Sequence, residues 1–144
     1  MIAVDTNILV YAHRFDSVFQ DAAHSCLTRL VSRRSPWAIP WPCLHEFFCA
    51  ITHARIFKPP TPQAQAFAQI EAWLQSPSLV LLTESPAHWP TLKGLLQRAK
   101  TTGPAVHDAR IAALCLQHGV SELWSADRDF NRFPTLKVVN PLVG

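Results

Sequence analysis

The stretch IAVDTNILV, residues 2–10, contains an apolar run that stops at an aspartate. Ile2, Ala3 and Val4 form a short apolar run of the kind found in buried strands, and the run stops at an ionisable residue, Asp5. Burying an unpaired carboxylate costs on the order of several kcal/mol. The sequence therefore predicts that Asp5 is compensated by a partner group, a metal ion or water, and that any partner group comes from elsewhere in the chain.

The length of 144 residues predicts a single domain covering residues 1–144. A chain of this size buries about 70% of the surface that its unfolded form exposes, so it needs no disulfide or metal to build a core. Hydrophobic residues make up 49% and charged residues 16%, and a subunit partner could cover the apolar excess. No signal-peptide pattern or run of roughly 18 apolar residues occurs, so we expect a cytoplasmic protein.

The cysteines and histidines do not form a recognisable metal-binding pattern. The four cysteines include no CxxC pair, and all but Cys26 have apolar neighbours, which predicts buried free thiols. The seven histidines include no HxxH or HExxH pair, so we expect surface or supporting roles for them.

Apolar runs alternate with helical patterns along the chain, which is typical of parallel strands joined by helical crossovers in an α/β fold. The predicted strands are 2–4, 37–39, 79–82, 122–125 and 137–139. A short helix capped by Asn7 follows the first strand. The further predicted helices are 17–32, 42–55, 63–75, 86–100 with a late start or kink at Pro90, and 104–118, which ends at Gly119.

Acidic residues follow two of these strands. Asp5 ends the first strand, and Asp127 comes just after the fourth, with Asp129 two residues later. In a parallel sheet both positions lie at the same edge, where open α/β sheets bind their ligands. Asp108 in the first turn of its helix and Glu46 early in another helix can reach that edge as well. The sequence therefore predicts a pocket of four or five carboxylates.

Carboxylates in contact cannot all stay ionised unless a cation lies between them, and hard oxygen ligands of this kind favour magnesium or manganese. One or two such ions can activate water and neutralise the leaving oxygen when a phosphodiester is cleaved. The pattern therefore predicts a metal-dependent hydrolase in which the metal compensates Asp5, and Asp108 or Glu46 is the candidate general base.

Four segments carry a family resemblance: VDTNILVYAH (4–13), the helix with Glu46, GPAVHDARIAALCLQHGV (103–120) and LWSADRDFNRFPTLKVVNP (123–141). Together they resemble the PIN domain of the VapC toxin family over almost the whole chain. The resemblance implies a five-stranded parallel sheet in the order 3-2-1-4-5 and a Mg²⁺-dependent endoribonuclease in which Mn²⁺ can substitute. It implies that the acidic motif is Asp5, Glu46, Asp108 and Asp127, with Asp129 as an accessory metal ligand.

The same resemblance implies supporting residues and partners. Ser125 stands where the family often has threonine and keeps the hydroxyl, and Asn7 matches the polar residue that orients the first aspartate or a water. The implied partners are a second copy of the chain, a VapB-type antitoxin that covers the active-site groove, and structured RNA such as transfer or ribosomal RNA.

The charge balance favours a polyanionic substrate. Setting aside the five acids of the predicted pocket leaves five acids against 13 lysines and arginines, so the remaining surface is basic. The candidate RNA-binding residues are Arg33, Arg34, Arg55, Lys58, Arg110, Arg128 and Arg132.

Each acid also has a simpler interpretation. Asp5 can cap the helix that follows it, and a single glutamate such as Glu46 is commonly a solvated helix residue. Asp108 can serve only as a partner for the helix dipole or an arginine, and Asp127 and Asp129 can belong to a polar loop. The metal site is favoured because four separate segments bring acids to one edge of the sheet.

Other function classes fit less well. A receiver-like phosphoacceptor needs adjacent acids at the first strand and a lysine after the last strand, where this chain has Asp5 alone and Pro141. Phosphatases with a DxD motif need a second aspartate at the position of Asn7. A PIN nuclease that is not a toxin, or a PIN module that binds nucleic acid or a protein without cleaving, remains the alternative. The non-catalytic module would be expected to lack one or more acids.

Overall fold

The computed structural model describes residues 1–143, and its centre is one parallel sheet flanked by six helices. The strands are β1 (Ile2–Val4), β2 (Trp37–Pro40), β3 (Leu79–Leu82), β4 (Glu122–Trp124) and β5 (Val138–Val139). They pair in the order β3-β2-β1-β4-β5, with every pair parallel. The predicted α/β class, the five strands and their order are confirmed.

The helices lie close to their predicted positions. They are α1 (Thr6–His13), α2 (Gln20–Ser32), α3 (Trp41–Ile51), α4 (Gln63–Leu74), α5 (His88–Ala99) and α6 (Val106–Gln117). Two short 3₁₀ segments, Gly103–Ala105 and Arg128–Arg132, precede α6 and follow β4. Within residues 1–143, no helix has the length and apolar character needed to cross a membrane.

The strand order reverses beside β1, and this places the functional edge of the sheet. From β1 the chain builds outward through β2 and β3, and then returns to add β4 and β5 on the other side of β1. Val4 pairs with Trp124 at the carboxyl ends of β1 and β4. Ligands of open α/β sheets bind outside the carboxyl ends of strands at such a reversal. Asp5 and Ser125 directly follow these two strand ends.

The core lies on both sides of the sheet, as expected for parallel strands covered by helices. β2 is buried along its whole length, and the tryptophan that begins it, Trp37, has no exposed surface. From α3 and α6 the core receives Phe47, Ile111 and Leu114, each at most 2% exposed. Burying a large apolar side chain contributes about 1.5–3 kcal/mol. The sheet edge that carries the acids is therefore held on a rigid support.

The first helix differs from its prediction at the cap. Asp5, not Asn7, is the N-cap of α1: its backbone is extended, and its side chain accepts a hydrogen bond from the backbone N–H of Thr6 at 2.8 Å. The predicted cap at Asn7 is wrong because Asp5 is already the last residue before the helical backbone begins. Asn7 lies inside the helix, so its amide is free to contact other side chains.

Several helix ends also differ. Residues 17–19 form a turn before α2, in which the Ser17 hydroxyl accepts from the N–H of Phe19 at 3.1 Å. The helix α3 ends at Ile51 rather than Arg55, because the Ile51 carbonyl is bonded to the N–H of Thr61 at 2.7 Å. Pro90 lies in the first turn of α5, so the late start is correct and no kink is needed. Gly119 follows α6 with φ +69°, as a C-terminal cap requires.

The cysteines are free, and one of them is on the surface. Cys26, Cys43 and Cys115 are buried, as predicted, but Cys49 is exposed. The prediction for Cys49 is wrong because α3 buries one face only, formed by Cys43, Leu44, Phe47 and Ile51, and Cys49 lies off that face.

Candidate active site

Asp5 sits at the sheet edge with its carboxylate almost fully enclosed, at 5% exposure. One oxygen, Oδ1, accepts from the N–H of Thr6 at 2.8 Å and faces the Cys43 thiol at 3.5 Å. The other, Oδ2, accepts from the Ser125 hydroxyl at 2.7 Å and from the Asn7 amide at 3.4 Å. Two donors on each oxygen use the hydrogen-bonding capacity of the carboxylate. Ser125 and Cys43 come from elsewhere in the chain, as predicted, whereas Thr6 and Asn7 directly follow Asp5.

Burial still dominates the ionisation of this group. It raises the pKa of the Asp5 carboxyl from 3.8 to about 6, while the hydrogen bonds from Ser125, Thr6 and Cys43 lower it in part. The nearby charge of Glu46 raises the pKa further. The folded chain thus holds a carboxylate at a cost that a nearby cation would reduce.

Ser125 connects Asp5 to the loop that carries Asp127. Its hydroxyl oxygen donates to Asp5 and accepts from the Asn7 amide at 3.1 Å and from the backbone N–H of Asp127 at 3.0 Å. The Asn7 side-chain oxygen accepts from the N–H of Ala126 at 3.2 Å. These bonds fix the start of the loop after β4 relative to β1. Ser125 and Asn7, which the sequence predicted as supporting residues, occupy positions suited to that role.

The next residues bring two acids side by side. The Asp127 carboxylate accepts from the backbone N–H of Asp129 at 2.8 Å and so begins the 3₁₀ segment Arg128–Arg132. Phe130 anchors this segment, since it is 1% exposed and lies edge-on to Phe133 with ring centres 6.5 Å apart. A buried aromatic anchor in the middle of the loop holds both carboxylates at the surface.

Asp108 completes a group of three carboxylates with Asp127 and Asp129. One oxygen from each lies within 4.8 Å of the others. Asp108 reaches the group from the first turn of α6. Partial burial raises its pKa, the charges of Asp127, Asp129 and Glu46 raise it further, and Arg132 lowers it. Three hard oxygen ligands in mutual repulsion form a suitable site for a divalent cation.

Glu46 lies beside this group but outside it. Its carboxylate is exposed on α3 and accepts from the Thr6 hydroxyl at 2.7 Å. Its charge contributes to the raised pKa values of both Asp5 and Asp108, so the predicted acids share one electrostatic environment. The three carboxylates that lie closest to one another include Asp129, which the sequence suggested only as an accessory ligand. Asp5 and Glu46 are held next to it by hydrogen bonds.

Two contacts at the site had no counterpart in the sequence interpretation. Thr6 ties Glu46 to the first turn of α1, and the buried Cys43 thiol points at Asp5. Thr6 lies within the DTN stretch and could have been recognised from it. Cys43 gave no signal, because a cysteine in an apolar helix is ordinarily a core residue.

The basic candidates divide by position. Arg132 is close enough to lower the pKa of Asp108, and Arg128 is exposed in the same 3₁₀ segment. Arg110 is bound to Glu84, with Nε 2.7 Å from the carboxylate. These three therefore lie on elements that start at the functional edge of the sheet.

The remaining basic candidates lie elsewhere. Arg55 and Lys58 follow the end of α3, which extends for 11 residues, or about 16 Å, from the functional edge. Arg33 lines a cavity with Met1 and Ser121 at the amino ends of the strands. Arg34, its neighbour, also precedes β2. Arg33 and Arg34 are thus at the edge opposite the acids.

Comparisons with known proteins give one consistent family. The PIN domain model matches residues 2–136. Ribonuclease VapC43 of Mycobacterium tuberculosis (strain ATCC 25618 / H37Rv) is 34% identical over 144 residues, covering 100% of this chain and 97% of the relative. Ribonuclease VapC31 of the same strain is 32% identical over 141 residues, covering 98% of this chain and 99% of the relative.

Solved structures share the fold. VapBC2 from Rickettsia felis, bound to a DNA fragment from their promoter, aligns with a TM-score of 0.69 and 21% identity, covering 96% of this chain and 98% of that chain. VapC20 from Mycobacterium tuberculosis, described as a sarcin-ricin loop cleaving toxin, aligns with a TM-score of 0.65 and 16% identity, covering 91% of this chain and 93% of that chain.

Proposed function

The chain belongs to the PIN domain family and to its VapC ribonucleases, and from this membership we propose that its acidic site cleaves RNA with the help of a divalent metal. The site comprises Asp5, Glu46, Asp108 and Asp127, with Asp129 added. The observation that carries the proposal is the group of three carboxylates within 4.8 Å at the sheet edge. We further propose that residues 1–144 form one PIN domain.

The donor set fits the metal that this chemistry requires. Asp108, Asp127 and Asp129 offer hard oxygen atoms, which suit Mg²⁺, and Mn²⁺ can substitute. We propose that Asp5 and Glu46 complete the site. When bound, the ion would neutralise the carboxylates, help to activate water and stabilise the negative charge that develops on the phosphate.

The chain's own residues prepare this site in three ways. Ser125 and Asn7 keep Asp5 oriented, and the N–H bond from Asp129 fixes the Asp127 carboxylate. Asp108, whose pKa is raised, is a candidate to accept a proton from the attacking water. Glu46 is the second candidate, since its exposed carboxylate lies beside the group and is oriented by the Thr6 hydroxyl.

RNA is the proposed substrate, with transfer or ribosomal RNA as the specific classes. The VapC ribonucleases among the relatives support RNA, and the solved VapC20, a toxin that cleaves the sarcin-ricin loop, supports structured RNA. The 13 lysines and arginines outnumber the five acids outside the site, which supports binding to phosphates. A cytoplasmic location is part of the same proposal.

Two protein partners are proposed with it, a second copy of the chain and a VapB-type antitoxin. The VapBC complexes that share this fold support the antitoxin. Large apolar side chains on the surface, including Phe15 at 92% exposure and Trp89 at 60%, support contact with protein partners.

The test of this proposal uses purified chain, freed of any co-expressed partner, with bacterial total RNA and Mg²⁺. New 5′ ends are mapped by sequencing, with EDTA and Asp108→Asn as negative controls. Asp21→Asn, an exposed change on α2, is the matched control and should cleave like the natural chain. Discrete ends that disappear in EDTA and in Asp108→Asn are expected. If no new ends appear while Mn²⁺ still binds, the catalytic proposal fails and a binding module is favoured.

A further inference from the structure

A cavity of about 200 Å³ lies directly beside the acidic group. Asp127 belongs to its wall, so the cavity and the candidate metal site share a residue. The rest of the wall combines the 3₁₀ segment after β4 with the end of β5. The side chains that determine its chemistry are Arg128, Asn131, Val138, Asn140 and Val143.

These side chains offer a mixture suited to a nucleotide. The Asn131 amide can donate and accept hydrogen bonds, which is what the edge of a base requires. The Asn140 amide can donate through its NH₂ group, while its oxygen already accepts from the backbone N–H of Leu142 at 3.0 Å. Val138 and Val143 supply apolar surface, and the Arg128 guanidinium can contact a phosphate or stack on a base. Among residues 1–143 the ion pairs do not include Arg128, and the side chain is exposed. The cavity therefore has charge, amide and apolar surface ready for a ligand.

We propose that this cavity binds one nucleotide of the RNA substrate, the one adjoining the phosphate that lies at the acids. Asn131 and Asn140 contact the edge of its base, and Arg128 contacts its backbone. The inference rests on the proposed ribonuclease function and adds to it a site that selects the base next to the cut.

Position and size favour this ligand. An RNA strand that has one phosphate at Asp127 must continue past that residue. The cavity is the concave surface found there. Its volume of about 200 Å³ is below the range of about 300–1,000 Å³ typical of pockets for larger ligands, so it suits one base whose sugar and phosphate lie outside the cavity. Sequence-specific readers of RNA take unstacked single-stranded bases in this way.

The direct test is nucleotide binding without catalysis. Asparagine occurs only at positions 7, 131 and 140, so ¹⁵N-asparagine labelling gives three pairs of side-chain amide signals. We would titrate AMP, CMP, GMP, UMP and inorganic phosphate in EDTA. The proposal predicts shifts of the Asn131 and Asn140 signals that differ among the four bases and weaken in Arg128→Ala, but not in Arg98→Ala, an exposed change on α5. Shifts no larger than those of Asn7, or equal for all nucleotides and for phosphate alone, would overturn it.

Cleavage mapping provides the second readout. Asn131→Ala should reduce discrimination at one nucleotide flanking the cut by about 5- to 150-fold, the range for a base contact of this kind. Thr135→Ala, an exposed change on the same loop, should keep the natural profile. An Asn131→Ala profile identical to the natural one would contradict the inference. If the natural chain cleaves no RNA but the base-dependent shifts are present, the ribonuclease proposal fails and the nucleotide site stands.

Discussion

Asp5→Asn is the change that examines the electrostatics of the site most closely. The natural carboxylate is 5% exposed, and burial raises its pKa from 3.8 to about 6. A carboxyl with a raised pKa binds more protons in the folded state than in the unfolded state between these two pH values. The free energy of unfolding therefore falls as the pH rises from 3.8 through 6, and Asp5→Asn removes this loss.

The magnitude follows from the size of the shift. A rise from 3.8 to about 6 corresponds to about 3 kcal/mol, at about 1.36 kcal/mol per pKa unit. By linkage, about 2 kcal/mol of this appears between pH 4.5 and pH 7.5. An amide at position 5 also meets donors arranged for a carboxylate, but that mismatch is independent of pH. The change with pH is therefore the quantity to measure.

The assay is urea unfolding of metal-free protein in EDTA at pH 4.5 and pH 7.5, followed by tryptophan fluorescence. Relative to the natural chain, Asp5→Asn should gain about 2 kcal/mol in free energy of unfolding on going to the higher pH. Asp21→Asn serves as the control and should show no such gain. Asp5 is not a costly buried charge if the difference in free energy of unfolding between Asp5→Asn and the natural chain is the same at both pH values, or if Asp5→Asn is relatively less stable at pH 7.5 than at pH 4.5.

Three further changes test the neighbouring residues. Asp129→Asn should lower Mn²⁺ affinity by more than the 10- to 100-fold that is typical of outer residues, as measured by calorimetry, and an unchanged affinity would remove Asp129 from the site. Ser125→Ala should weaken Mn²⁺ binding by about 10- to 100-fold because the Asp5 carboxylate and the Asp127 N–H each lose a hydrogen-bond partner. Ser125→Thr keeps the hydroxyl and should keep the Mn²⁺ affinity. An equal loss of affinity in both variants would argue against a role for the hydroxyl. Phe130→Ala should reduce the free energy of unfolding by about 3–5 kcal/mol in denaturant titrations, and a loss below 1 kcal/mol would show that the loop is not anchored there.

The sheet was predictable from the sequence because its strands are short, largely apolar runs, and some of these runs end at a polar residue such as Asp5 or Thr83. The runs at residues 2–4 and 79–82 match β1 and β3 at both ends. The alternation of strands and helices then determined the parallel arrangement. The strand order came from the family resemblance, since no local pattern states which strands are neighbours.

The helix ends were less predictable because tertiary contacts decide them. The end of α3 depends on Thr61, ten residues beyond Ile51, which binds the carbonyl that would have continued the helix. The cap of α1 depended on where the strand backbone stopped, and the sequence allowed both Asp5 and Asn7. The exposure of Cys49 likewise depended on which face of α3 meets the core.

The meeting of the candidate acids at one edge of the sheet could be predicted in advance, but their detailed arrangement could not. Sequence position placed Asp5, Asp108 and Asp127 at one edge of the sheet. It did not show that Asp129 lies closer to Asp108 and Asp127 than Asp5 does, because that depends on the 3₁₀ turn after β4. It also gave no sign that Asp5 accepts four hydrogen bonds from the protein.

In the proposed mechanism, RNA cleavage requires a divalent metal held by these acids. The most direct measurement follows the initial rate of RNA cleavage against Mn²⁺ concentration and compares it with Mn²⁺ binding to the same sample by calorimetry. The account predicts that both curves have the same midpoint and that Asp108→Asn loses both, while Asp21→Asn keeps both. Cleavage that persists in EDTA, or Mn²⁺ binding that is unaffected by Asp108→Asn, would contradict it.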